Sequence, residues 1–88
     1  MKGPWKKGDV VRSVAGHDSG RRFVILEVID EQYVLIADGK TRTVEKPKKK
    51  KNKHLRAVPG YQMEIDPNTK LQNSELHKFL KACDENLA

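Results

Sequence analysis

The sequence predicts a mainly β fold: a small five-stranded barrel followed by one C-terminal amphipathic α-helix. Three observations favour this architecture. Short segments rich in β-branched and aromatic residues recur over the first 58 positions. Turn-forming pairs such as Asp38-Gly39 and Pro59-Gly60 follow two of these segments. After Pro67 the apolar residues recur every three or four positions, which is the period of an α-helix.

Three strands are predicted in the first half of the chain, over residues 10–14, 23–29 and 33–37. The first roughly alternates apolar and polar residues, whereas the other two are almost wholly apolar. In the second strand Glu27 is the lone acid, so its face is expected to meet water locally. The residues expected to point into the core are Val24, Leu26 and Val28.

The last two strands are predicted from turn signals. Asp38-Gly39 predicts a hairpin with a type I′ turn, because that turn needs positive φ at both central positions. A fourth strand is therefore expected over about residues 40–45. Pro47 cannot donate to a sheet, so it should end that strand and let the lysines that follow loop outward. The fifth strand is expected over residues 54–58.

The C-terminal segment predicts one amphipathic helix, with charged residues opposite an apolar stripe. The stripe comprises Leu76, Phe79, Leu80, Cys83 and Leu87. Asn73 or Ser74 can cap the first turn, and Glu75 complements the helix dipole there. We expect the stripe to pack against an open end of the barrel. A docking face for a partner is the alternative.

The chain length predicts one domain with a modest core. We expect the barrel over residues 1–60, with a basic loop at 46–54, and a linker with the helix over 61–88. The single cysteine, Cys83, cannot form an intrachain disulfide and is expected to be a core residue. No apolar run is long enough for a signal peptide or a membrane span. We therefore expect a soluble, cytoplasmic and monomeric protein with no membrane partner.

The positive charge is concentrated in one segment. Residues 46–56 hold seven basic side chains and no acid, whereas the whole chain has a net charge of +6. Residues 1–45 carry eight basic and seven acidic side chains, and residues 57–88 carry three and five. A local cationic segment is typical of a protein that binds RNA, DNA or acidic lipid head groups. A solvated loop or a targeting tag is the alternative.

The first half of the chain resembles the KOW motif. The resemblance lies in Gly8, Gly16, Gly20 and the apolar strand pair on either side of them. The later segments 33–39 and 52–55 resemble the N-terminal barrel of KOW-containing large-subunit ribosomal proteins of archaea and eukaryotes. The resemblance implies a small SH3-like barrel that binds RNA, with the loop between the first two strands contributing contacts. It does not imply an enzyme.

Ten residues are candidates for RNA contact: His17, Arg21, Arg22, Arg42, Lys48, Lys49, Lys50, Lys51, Lys53 and His54. Arginines at the exit of the loop can clamp a phosphate or stack on a base, whereas lysines suit phosphate contact without sequence preference. Ordinary surface charge, paired with Asp18 or Glu27, is the alternative for Arg21 and Arg22. Asp18 is expected to accept hydrogen bonds from its own turn. The candidate structural positions are Gly8, Gly16, Gly20, Asp38 and Gly39.

No catalytic constellation is recognisable in the sequence. His17, His54 and His77 have no metal-ligand spacing with one another or with Cys83. A nucleotide-type glycine loop is also lacking, so we expect no metal, no cofactor and no enzymatic activity.

Three function classes remain open. The favoured class is an RNA-binding module that works with the ribosome or another structured RNA, with ribosomal proteins as candidate further partners. The alternative is a protein-interaction module of the transcription-elongation type, which would dock through the acidic C-terminal helix. Nonspecific DNA binding is the third, although no recognition-helix motif supports it. In the favoured class the helix supports the barrel and does not touch RNA, because its exposed face is mixed in sign.

Overall fold

The computed structural model describes residues 4–87, with side chains described as far as Glu85. Within that part of the chain the strands and the helix are β1 (Asp9–Ser13), β2 (Arg22–Val28), β3 (Tyr33–Ala37), β4 (Lys48–Lys51), β5 (Leu55–Gln62) and α1 (Asn73–Leu87). The strands form one antiparallel sheet in the order β4-β3-β2-β1-β5. The predicted fold class is confirmed, and the sheet is consistent with a small SH3-like barrel.

The fourth strand is the lysine run itself. β4 pairs with β3 so that Lys51 lies opposite Tyr33 and Lys48 lies opposite Ile36. Residues 40–47 form no strand. The predictions of a strand over 40–45 and of an outward lysine loop are therefore wrong. Lysines can form this strand for two reasons. The edge of β3 needs hydrogen-bonding backbone partners, which any residue other than proline can supply. The long aliphatic stems of lysine can also lie along apolar surface.

The turn after β3 also differs from the predicted type I′ hairpin. Gly39 has a φ of 81°, but no described residue other than glycine has a positive φ. The Asp38 carboxylate instead accepts hydrogen bonds from the amides of Lys40 (2.9 Å) and Arg42 (2.8 Å) and from the Thr41 hydroxyl (2.6 Å). The Asp38 carboxylate therefore stabilises the turn by accepting hydrogen bonds from residues 40–42. The residues that follow, up to 47, are irregular.

The sheet buries apolar side chains on both faces. The inner cluster comprises Val11, Phe23, Ile25, Val34, Ile36 and Leu55. The helix-side cluster comprises Val10, Val24, Ala37, Val58, Leu76, Leu80 and Cys83. Glu27 is exposed as predicted, but Val24 and Val28 do not share a face: Val24 belongs to the helix-side cluster, and Val28 packs against the inner one. A register shift between Ile25 and Glu27 explains this, because an extra residue inverts the alternation.

Helix α1 lies on the sheet through its apolar stripe. Leu76, Leu80 and Cys83 are at most 5% exposed, and Phe79 packs against the same cluster. The side chain of Leu87, the last residue of the predicted stripe, lies outside the described residues. Of the two candidate caps, Asn73 or Ser74, Asn73 does not serve the first turn, since its carboxamide accepts from the Val44 amide (2.9 Å) and donates to Glu45 (2.8 Å). The start of the helix is thereby tied to the irregular segment before β4.

Candidate nucleic-acid interface

The pleat of β4 divides the lysine run into two pairs. Successive side chains of a strand point to opposite faces, so Lys48 and Lys50 share one face of β4, while Lys49 and Lys51 share the other. Lys50 is only 8% exposed, whereas Lys49 is exposed. The four consecutive lysines therefore occupy two different environments, although all four have the same charge.

The first pair surrounds a buried carboxylate. Lys48 Nζ lies 2.5 Å from Asp18 Oδ2, and Arg42 Nη2 lies 3.9 Å from the same oxygen. Lys50 Nζ donates to the Ala15 carbonyl at 3.1 Å. We call Asp18, Arg42, Lys48 and Lys50 the Asp18 cluster. It joins the loop between β1 and β2 to the edge strand β4.

The charge of Asp18 is stabilised by this cluster. The hydrogen bond from Lys48 lowers the pKa of Asp18 below its ordinary value of 3.8, and the positive charges of Lys48, Arg42 and Lys50 act in the same direction against the opposing effect of burial. The expectation that Asp18 bonds its own turn amides is wrong, since its carboxylate bonds Lys48. Sequence reasoning missed this role because Asp18 and Lys48 are 30 positions apart.

The second pair lies over an aromatic ring. Lys49 Nζ is 4.5 Å from the centroid of the Tyr33 ring, and Lys51 Nζ is 5.8 Å from it. A cation over a ring at an exposed site is stabilised by roughly 0.5–1 kcal/mol without losing its charge. Lys53, in the short turn after β4, is also exposed. We call Lys49, Lys51 and Lys53 the outer lysine group.

His54 lies beside the outer lysine group. Its partial burial and the charges of Lys53, Lys50 and Lys51 hold the pKa of His54 below its ordinary value of 6.5. The imidazole is therefore mostly neutral at pH 7. An anion bound near these lysines would reduce their repulsion of the imidazolium form.

The loop between β1 and β2 is a compact turn. Residues Gly16–Asp18 form one turn of 3₁₀ helix, and the Gly20 amide donates to the Ser13 carbonyl at 2.8 Å. The glycines at the predicted structural positions all have positive φ: Gly8, Gly16, Gly20 and Gly39. His17 is exposed on this loop.

The two arginines at the loop exit have different partners. Arg21 is exposed and donates from Nη1 to the Thr41 hydroxyl at 3.1 Å. Arg22 forms an ion pair with Asp84 of α1, with 2.6 Å between Nη1 and Oδ1. Among the described ion pairs, neither arginine is joined to Asp18 or Glu27, so pairing with those two acids is not observed. The guanidinium charge of Arg21 therefore remains available to a ligand, whereas Arg22 joins β2 to helix α1.

Other kinds of site are not found in the described residues. Residues 4–87 contain no group of three or more His, Cys, Asp or Glu side chains that could hold a metal ion. Burial raises the pKa of the Cys83 thiol, which lies in the helix-side cluster as predicted. Over the same residues, no helix has the length and apolar character needed to cross a membrane.

The chain is similar to ribosomal proteins over about half its length. It is 42% identical over 48 residues to the large ribosomal subunit protein eL14 of Pyrobaculum arsenaticum, and 40% identical over 48 residues to the protein of that name from Staphylothermus marinus. The similar segment covers 54% of this chain, and 47% and 50% of the two relatives. The chain thus spans about half the length of the curated relatives it matches. No family model matches the chain.

Proposed function

We propose that this protein is a non-enzymatic, cytoplasmic module that binds RNA in association with the ribosome. The outer lysine group and the loop between β1 and β2 hold the RNA phosphates. The observation that carries this function is the division of the lysine run, which leaves Lys49 and Lys51 charged and held over Tyr33. The likeness to proteins named as large ribosomal subunit components gives independent support.

The outer lysines present neighbouring charges that suit a nucleic-acid backbone. Lys49 and Lys51 both place their ammonium groups over the Tyr33 ring. The aromatic ring restricts both ammonium groups before binding, so less conformational entropy is lost when a phosphate is bound. Because lysine donates as a point charge, these contacts hold the strand without reading its sequence.

The alternative of a docking helix has less support. A helix that recruits a partner needs an available apolar face. In α1 that face is covered, because Leu76, Leu80 and Cys83 are buried against the sheet. A docking helix is therefore not the function proposed for this protein.

Replacing Lys49, Lys51 and Lys53 together by glutamine is expected to weaken RNA binding through the loss of phosphate contacts. Each contact with a single strand contributes about 0.7 to the slope of log affinity against log salt, so the slope should fall by about 2. Lys48 and Lys50 are engaged within the Asp18 cluster and are expected to contribute little. The sequence alone had made Lys48 and Lys50 candidates for RNA contact alongside the other lysines of the run. Titrations of a uridine homopolymer and a folded ribosomal RNA fragment over a salt series measure the slope.

The matched control replaces Lys6, Lys7 and Lys70 by glutamine. These side chains are exposed and lie outside the lysine run, so the control removes the same charge from another surface. Its slope should stay close to that of the unaltered protein. If both triple variants lower the slope equally, the protein attracts RNA by net charge alone and the outer lysine group is not a site.

His54 is expected to make RNA binding depend on pH. Bound phosphate would offset the charges of Lys51 and Lys53, which raises the pKa of His54 in the complex relative to the free protein. The complex then takes up a proton, so affinity should increase as the pH falls from about 7.5 to about 5.5. Titrations at several pH values measure this dependence. An equal dependence in the His54→Gln variant would assign it to another group.

A further inference from the structure

A groove separates helix α1 from the turn after β3. Its volume is about 410 Å³, and its polar lining includes Arg21, Lys40, Thr41, His77, Lys81 and Asp84. The groove is formed by three separate parts of the chain: the exit of the β1–β2 loop, the turn and the helix. Its volume suits a single nucleotide.

The acids that line the groove already have partners. Asp84 is paired with Arg22 at 2.6 Å. Asp38 accepts hydrogen bonds from the turn that it organises, including one from Thr41. The cations Arg21, Lys40 and Lys81 are exposed, and no ion pair is described for any of them. The charge that remains for a ligand is therefore positive.

The two walls of the groove are fixed to each other at both ends. At one end Gly39 lies against the backbone at the start of α1. The two are so close that a Cβ on residue 39 would be 3.0 Å from the backbone nitrogen of His77. At the other end the ion pair between Arg22 and Asp84 joins β2 to the last turns of the helix. A cleft held in this way is preorganised, which lowers the entropy lost when a ligand enters.

The groove adjoins the surface that the proposed function assigns to RNA. Arg21 belongs to the loop between β1 and β2, and it reaches across to Thr41 at 3.1 Å. The next residue after Thr41, Arg42, extends towards Asp18 and so towards Lys48. A cationic path thus leads from the groove along the loop to the edge strand.

We propose that this groove binds the phosphate of an unpaired nucleotide of the same RNA, an inference that rests on the proposed function. Lys40 and Lys81 hold the phosphate from the turn and from the helix, and Arg21 approaches it from the loop. His77 lies in the wall where it can contact the ribose or the base. Helix α1 then belongs to the RNA surface, contrary to the expectation from its mixed charge.

The test compares two pairs of lysines. Lys40→Gln with Lys81→Gln removes two groove cations, whereas Lys70→Gln with Lys78→Gln removes two exposed lysines that do not line the groove. The probes are an RNA hairpin with a single-nucleotide bulge and the same hairpin fully paired. The groove variant should lose about 1.4 from the salt slope on the bulged hairpin, at about 0.7 per contact, and bind the two hairpins more equally. The control variant should behave like the unaltered protein.

A second measurement detects occupation of the groove directly. The imidazole resonances of His77 should move when the bulged hairpin is added to the unaltered protein, and move much less in the groove variant. If the groove and control variants bind alike while the outer lysine triple variant still loses affinity, the groove proposal is overturned and the proposed function stands. If the outer lysine variant also keeps its affinity, the proposed function fails as well. An equal response of His77 to an oligoglutamate peptide would mark the groove as a general anion site and overturn the nucleotide assignment.

Discussion

Replacing Gly39 by alanine is expected to destabilise the protein by about 3 kcal/mol, through strain in the turn and a collision with the helix. Gly39 has a φ of 81°, which costs a residue with a Cβ on the order of 1 kcal/mol. A Cβ at this position would also collide with the backbone carbonyl of Asn73 and lie 3.0 Å from the backbone nitrogen of His77. These are backbone atoms of α1, so they cannot turn aside as a flexible side chain would. Either the helix or the turn must move.

Gly20→Ala is the matched control for this substitution. Gly20 has a similar φ of 87°, but a Cβ there would meet nothing within 4 Å. Only the backbone strain remains, and the reduced freedom of the unfolded chain offsets part of it, so the loss should be about 1 kcal/mol or less. Urea unfolding of both variants gives the two free energies. Equal losses would mean that α1 is not seated against the turn in solution.

The sequence predicted the elements whose own composition carries the signal. β1, β2, β3 and the helix all follow from local patterns, since their apolar residues recur with the period of the element that they form. β4 could not be found in this way. Its residues, Lys48–Lys51, are identical, so they show no alternation, and lysine is uncommon in strands. The strand forms because β3 offers it a partner, which is information that lies outside the segment.

The candidate site shows the same limit. Charge counting singled out the lysine run, but it treated Lys48 and Lys49 as equivalent. The pleat places Lys48 on Asp18 and Lys49 over Tyr33, and those partners are distant in the sequence. The signal that could have indicated the cluster was Asp18 itself, an acid in a loop for which the resemblance implies RNA contacts. An acid in such a loop would need a cation to compensate its charge, and the basic segment could supply one.

Replacing Asp18 by asparagine is expected to destabilise the protein by about 2–3 kcal/mol at neutral pH, because the cations around it lose their partner. Breaking a fully buried ion pair typically costs about 3–5 kcal/mol. The loss should be smaller here, since the side chain of Lys48 is 28% exposed and that of Arg42 is 39% exposed, so both can turn towards water. Lys50, at 8% exposed, has less freedom to do so. Urea unfolding measures the difference.

Asp30→Asn is a suitable control for the chemistry of the substitution. Asp30 is exposed, and its Oδ1 accepts from the amides of Gln32 (2.8 Å) and Tyr33 (2.9 Å). Asparagine keeps an oxygen that can accept the same bonds, so this variant should lose less than about 1 kcal/mol. Similar losses in both variants would show that Asp18 contributes as a hydrogen-bond acceptor only, and that its charge is not needed.

The effect of Asp18→Asn should also depend on pH. Because the pKa of Asp18 is lowered in the folded protein, its ionised form stabilises the fold above its unfolded pKa of about 3.8. That stabilisation is lost as the pH falls through the lowered folded value, where the native carboxyl also becomes neutral. The difference in unfolding free energy between the two proteins should therefore be constant from about pH 7 to 5 and shrink below about pH 4. A difference that does not change with pH would contradict the ionic role.

RNA binding by the Asp18→Asn variant tests whether Lys48 can contact RNA in the way proposed for the outer lysine group. Without the carboxylate of Asp18, Lys48 is no longer held in an ion pair and becomes available to a phosphate. On the proposed function the salt slope should then become steeper by about 0.7, the value of one further contact with a single strand. The titration is made at a temperature where the variant is folded. A variant that is less stable yet binds RNA with a steeper slope would mean that Asp18 keeps Lys48 from the RNA, whereas an unchanged slope would confine the Asp18 cluster to stability.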